Sequence, residues 1–123
     1  LVLVTMSVTF HPANSHVAED KLTDFIRNKI EEDLTSVPGI GPATKALLAE
    51  EGITSTYQLI GKFLSMKDEG VDTVEHCERF YQWFVNTKSS AGHRAGVVRC
   101  IAEKVNIVFP GVYDGAVYDE AED

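Results

Sequence analysis

From Glu19 the chain takes on a helical rhythm: Leu22, Phe25, Ile26, Lys29 and Ile30 recur at three- and four-residue spacing, with acids near the start. The pattern predicts a helix there, with Asn14 or Ser15 as its cap. A second helix is expected from Ala43 to Glu51, ended by Gly52 in a left-handed cap. Thr54 or Ser55 then opens a third, with an apolar face of Tyr57, Leu59, Ile60, Phe63 and Leu64. After a turn at 67–72, a fourth runs from about Thr73 to Asn86 around Phe80, Trp83 and Phe84. The small residues Ser89 to Gly92 lead into a last helix carrying Val97, Val98, Ile101 and Val105, and Pro110 and Gly111 close the fold. Ahead of all this, LVLVTMSVTF is apolar and β-branched without helical period; it suits a segment extended over a surface or paired with a partner's strand. The expected architecture is an all-α, compact bundle of about five helices spanning 19–110, with an irregular extension at 1–18 and an acidic tail at 111–123.

Composition narrows what such a bundle does. With 123 residues, 44% of them hydrophobic, there is material for one core. No apolar run approaches the roughly 20 residues that cross a bilayer, so membrane insertion is not expected. The LVLVTM run is too short for a signal peptide's apolar core and lacks a basic flank. Five acids (Asp114, Asp119, Glu120, Glu122 and Asp123) crowd the last ten residues; without them the formal charge of −8 falls to −3. That tail reads as disordered and solvated. A broad basic footprint is absent, so any nucleic-acid site must be local, built of oriented backbone groups and a few cations. Cys77 and Cys100 are too few for a disulfide scaffold and read as buried thiols.

One stretch carries chemistry. Leu34, Val37, Pro38, Gly39, Ile40, Gly41, Thr44 and Leu48 form the pattern of a helix-hairpin-helix. Gly39 and Gly41 free the backbone and expose amides at the start of the next helix, where orphan N–H groups and the helix dipole favour an anion. Ile40 anchors the hairpin inward, while Ala43, Thr44 and Lys45 sit where an amide, a hydroxyl and a charge can meet a phosphate. Such contacts fix register without reading bases. Ser89, Ser90, Ala91, Gly92, His93 and Arg94 make a second small-residue turn opening a helix, suited to a neighbouring phosphate. Taken alone, that turn reads first as a capped helix start.

The order of these features resembles the barrier-to-autointegration factor family. Four blocks between about residues 20 and 109 carry the likeness: KLTDFIRNKI, SVPGIGPATKALLAEEGI, YQLIGKFLSMKDE, and FYQWFVNT with the turn and Cys100-Ile101 helix behind it. The resemblance implies a small all-α fold of the SAM-like type and a homodimeric nuclear chromatin protein that bridges double-stranded DNA without sequence preference. Residue by residue, it places the DNA surface on Lys21, Gly39, Ile40, Gly41, Ala43, Thr44 and the turn at Ala91, Gly92 and His93. It places the dimer interface on Gly61, Phe63, Leu64 and Trp83, and implies nuclear-envelope partners with LEM domains. Trp83, Phe63 and Leu64 also offer more apolar surface than a monomer of this length needs. The chain departs from the family at Leu47, where a lysine is usual, and at His93, where the usual residue is basic.

The remaining candidates point to no enzyme and no cofactor. His76 and Cys77 are neighbours without a second pair, which reads as a surface histidine and a core thiol rather than a metal site. His11 and His16 are expected to face water. Two rival readings stay open beside DNA bridging: a protein-interaction adaptor of the same fold that has lost DNA binding, and a hairpin accessory domain of a DNA-repair complex.

Overall fold

The computed structural model describes residues 9–120; most of the apolar run expected to be extended (residues 1–8 of it) and the last two acids, Glu122 and Asp123, lie outside them. Helix α1, Glu19–Arg27, has Glu19 and Asp20 in its first turn and Arg27 in its last, matching the helix dipole. It is capped by neither expected residue: Ala18 stands at the N-cap without a side-chain bond, Asn14 closes a 3-10 turn over Pro12–Asn14, and Ser15 accepts from the Val17 amide. It also stops short of Lys29 and Ile30. Lys104 meets its end there, donating to the carbonyls of Ile26 at 2.8 Å and of Asn28.

Pro42 occupies the first turn of α2, Pro42–Glu50, where its missing N–H costs nothing. Gly52 follows at φ +82°, the left-handed stop the sequence calls for. In α3, Thr56–Ser65, the Ser55 hydroxyl accepts from the Gln58 amide at 3.2 Å while the Gln58 side chain accepts from the Thr54 amide at 2.6 Å. This reciprocal box makes a firm start. Helix α4 spans Thr73–Asn86, as its apolar spacing predicts, with Asp72 as its cap. Helix α5, Ala91–Val108, is the spine of the fold and packs against α1, α3 and α4. Leu34, Leu48, Leu59, Phe63, Phe80, Phe84, Val98 and Ile101 fill the core, and Phe80 meets Phe63 and Phe84 edge-on at 5.0 and 5.1 Å. No strand occurs among the described residues, so the fold is an all-α bundle; it has six helices there, one more than expected.

Several expectations need correction. Tyr57 is 58% exposed and does not join the apolar face of α3. His76 is fully buried, not on the surface: its ring stacks on Phe63 at 4.0 Å, and Nε2 donates to the Phe63 carbonyl at 2.7 Å. The chain does not close at Pro110 and Gly111. A sixth helix, α6 at Ala116–Glu120, docks on α4, and Tyr113 and Tyr118 are buried, so the acidic stretch is packed at least to Tyr118. The extension before α1 is docked as well. Phe10 is buried, Glu78 accepts the amides of Thr9 and Phe10 at 2.7 and 2.8 Å, and Phe10 meets Tyr118 edge-on at 5.8 Å. Likewise His11 does not simply face water; its ring meets Tyr118 at 5.2 Å. The two terminal segments thus form a clasp on α4. Cys77 and Cys100 are free, buried thiols, each pushed up to about 12 by desolvation.

Candidate nucleic-acid interface

A tight turn brings the two sequence-predicted segments together. Gly39 holds φ +96°, and a Cβ built there would lie 3.1 Å from Val97 Cγ2 and 3.4 Å from the His93 carbonyl oxygen. Only glycine permits both the left-handed angle and this approach to α5. The hairpin therefore rests directly on the first turns of α5, and the beginnings of α2 and α5 share one face. Ile40 locks the arrangement from below, 4% exposed in the core.

Gly41 serves differently. Its φ of −100° and ψ of −174° are ordinary extended backbone. A side chain there would meet nothing within 4 Å, so the approach to the amides of α2 is open. Neither helix start is closed by a side chain: Gly41 has none to offer, and Ser90 makes no capping bond to α5. The expectation of a capped helix start in the second turn is therefore not met. Orphan N–H groups at both positions, each at the positive end of a helix dipole, suit an anion. Gly41, Ala43, Ala91, Gly92 and His93 are all exposed.

Between α1 and these two starts lies a cavity of about 250 Å³, lined by Lys21, Gly39, Gly92 and His93 among others. His16 lines it too, a position the sequence reading left in the irregular lead-in. Lys88 is a second residue that reading missed: it is exposed, just before the Ser89–Gly92 turn, at φ +63°. Periodicity offers no signal for either, since both stand outside helices.

Two expected cations are already engaged. Lys45 pairs with Asp33 at 3.1 Å, both side chains about half exposed. The Thr35 amide first, and then Lys45, hold the Asp33 carboxyl below the usual carboxylate range. Arg94 folds back to donate to the Ser89 carbonyl at 2.6 Å, bracing the turn. Thr44 is buried, leaving its backbone amide rather than its hydroxyl as the natural contact. Leu47 is half-buried.

The residues placed at the dimer interface divide. Phe63 is fully enclosed between His76 and Phe80 and can touch no second chain. Gly61 is exposed, while Leu64 and Trp83 are partly buried, with Lys62 Nζ 5.4 Å from the Trp83 ring centre. Among the described residues, the large apolar side chains that face solvent are Tyr57, Ile107, Val108 and Phe109. The exposed apolar surface therefore lies mainly on residues other than those expected to supply it.

Searches of curated proteins and of solved structures gave no match to this chain. The family model described as barrier to autointegration factor matches residues 16–107, which include α1 to α4, the hairpin and nearly all of α5. With most of its length so matched, the chain belongs to the barrier-to-autointegration factor family of DNA-binding chromatin proteins.

Proposed function

We propose that this protein binds double-stranded DNA through its phosphates, without sequence preference, and bridges duplexes as a homodimer. One observation carries the DNA reading: Gly39 seats the hairpin on α5, so two helix starts without side-chain caps lie on one face beside Lys21 and His93. Adjacent phosphates along a strand would meet the amides of Gly41, Ala43 and Thr44 at one helix start and of Ala91 and Gly92 at the other. Oriented amides act regardless of the acidic body charge, because their partial charges are fixed and close to the anion. No base-reading side chain is part of the reading, and nuclear location and LEM-domain partners follow from the family alone. A gel shift with unrelated duplexes of one length tests it. Equal affinities that weaken as salt rises support phosphate binding, since each neutralised phosphate releases counterions. Absence of any shift at low salt would leave the adaptor reading, which the internal engagement of Lys45 and Arg94 favours.

The dimer is proposed on the face where Tyr57, Ile60, Gly61 and Leu64 follow helical spacing along α3. Ile60 shares a small cavity with Val108 and Phe109, so this row is continuous with the exposed apolar end of α5. A second copy related by a two-fold axis would cover these side chains on both chains. Sedimentation should give twice 13.6 kDa, and Val108→Glu, at a 59% exposed position, should give a folded monomer. A monomeric wild-type protein at micromolar concentration would contradict the bridging mechanism.

A further inference from the structure

Away from the hairpin, α5 and the two terminal segments enclose a groove of about 660 Å³. Its far walls, His11–Ala13 and Tyr113–Asp119, lie outside the family-matched residues, so the groove is built by what this chain adds to the family fold. Three carboxylates line it, those of Glu103, Asp114 and Asp119, against one guanidinium, Arg99. That guanidinium is already neutralised: Arg99 donates to Glu103 at 2.8 Å and reaches Glu19 at 3.4 Å. The unspent charge is negative.

A second observation is independent of the acids. Tyr113 lines the groove and is 7% exposed, yet its hydroxyl has no hydrogen-bond partner among the described residues. Its ring lies over Gly115, where a Cβ would come within 3.4 Å of the hydroxyl; the glycine leaves that flank uncovered. The hydroxyl itself is not fully enclosed, so it opens on the groove with its hydrogen-bonding capacity unspent on protein. Burial also keeps this phenol protonated far above neutral pH. It can therefore accept from a donor through its lone pairs and donate its own proton onward. Pro12, Ile26 and Ile107 supply apolar wall between the polar groups.

We propose that this groove binds a cation on an aliphatic stem, as in the lysine or arginine side chains of a partner peptide. The stem would lie along Ile26 and Ile107, with the charged head between Asp114, Asp119 and the Tyr113 hydroxyl. A free polyamine has the same chemistry, and the experiment separates the two sources. Full-length protein is titrated with a fluorescein-labelled peptide of alternating lysine and glycine and, in parallel, with spermidine by calorimetry. Whichever binds more tightly identifies the source. Tyr113→Phe keeps the ring and removes only an unpartnered hydroxyl, so the fold should be undisturbed; loss of a hydrogen bond to a charged group should weaken binding about tenfold. Asp119→Asn should also weaken it. The double change Asp68→Asn with Glu69→Gln, in an exposed loop not lining the groove, should weaken it less than Asp119→Asn despite removing more charge. Affinity that is unchanged in Tyr113→Phe, or that falls as much in the loop variant as in Asp119→Asn, would overturn the proposal. So would the absence of binding by either probe. DNA binding is read from separate residues, so its presence or absence does not decide this outcome.

Discussion

At the hairpin, the amides that begin α2 and α5 meet no capping side chain, and glycine leaves the ground above Gly41 bare. At the clasp, the amides of Thr9 and Phe10 both end on one Glu78 oxygen, while Gln82 donates to the other at 2.7 Å. Aromatic rings close over that second region: Phe10 lies between Tyr81 and Tyr118, at 6.1 and 5.8 Å. The same backbone group is thus left open in one place and satisfied by a buried carboxylate in the other. Open donors at a helix start remain available to an external anion and contribute little to stability. Closed donors under an aromatic cover hold the chain ends to α4 and contribute to stability directly.

The largest effect should come from emptying the clasp. Phe10 is 1% exposed, and Phe10→Ala should cost about 3–5 kcal/mol, as truncation of a buried Phe typically does. Urea denaturation measures it. An unchanged midpoint would mean the terminal segments are not part of the cooperative unit, and the contrast between the two regions would lose its stability half.

A smaller effect depends on pH and on α4, the helix that carries the clasp. Burial holds the His76 imidazole below its ordinary value of 6.5, outweighing the opposing pull of the Phe63 carbonyl. In the unfolded chain the imidazole takes up a proton near pH 6.5, while the folded protein resists it. This stability is therefore complete above pH 6.5 and is lost as pH falls from there towards the lowered folded value. The slope from this one group is at most about 1.4 kcal/mol per pH unit. His76→Phe, which retains a ring against Phe63, should flatten its part of the profile between pH 6.5 and 5. The same slope in the variant would assign the acid sensitivity to other groups.

The smallest effect should expose the trade at the open region. Gly41→Ser places a hydroxyl where it can accept from the α2 amides. Because glycine is already tolerated at an N-cap, the gain in stability should be only a few tenths of a kcal/mol. DNA affinity should nonetheless fall, since the serine occupies donors the phosphate needs. A variant that is more stable and binds DNA as well as before would show that these amides are not the anion site.

What was legible in the sequence follows from how each residue is held. Helix α4 was readable because Phe80, Trp83 and Phe84 repeat on one face, and Gly52 because a left-handed stop has few chemical solutions. The hairpin was readable for the same reason at Gly39, though Gly41 has an ordinary extended angle and open space above it. The clasp was not. Phe10, Tyr113 and Tyr118 lie in short or irregular segments without period, and the Glu78 that receives the Phe10 amide is 68 residues away. A glutamate in a helix reads as a surface residue until the backbone it receives is seen. His76 misled in the same way, since a polar name concealed a ring used for stacking. At the candidate interface, spacing identified two turns that the fold brings together, but the diversion of Lys45 to Asp33 and of Arg94 to Ser89 depends on contacts that no spacing encodes.

The central claim is that α2 begins with amides held open for phosphate, and one substitution addresses it most directly. Gly39→Glu is unsuitable, because a side chain at φ +96° against Val97 would strain the hairpin itself. Gly41→Glu has an ordinary backbone angle and open space, so the fold should persist while a carboxylate stands where the phosphate would lie. The measurement is duplex affinity of wild type and Gly41→Glu across a salt series, with helix content checked by circular dichroism. The account predicts a folded variant whose binding is lost at low salt, where wild type binds unrelated duplexes equally well. A folded Gly41→Glu protein with the wild-type affinity and salt slope would contradict it.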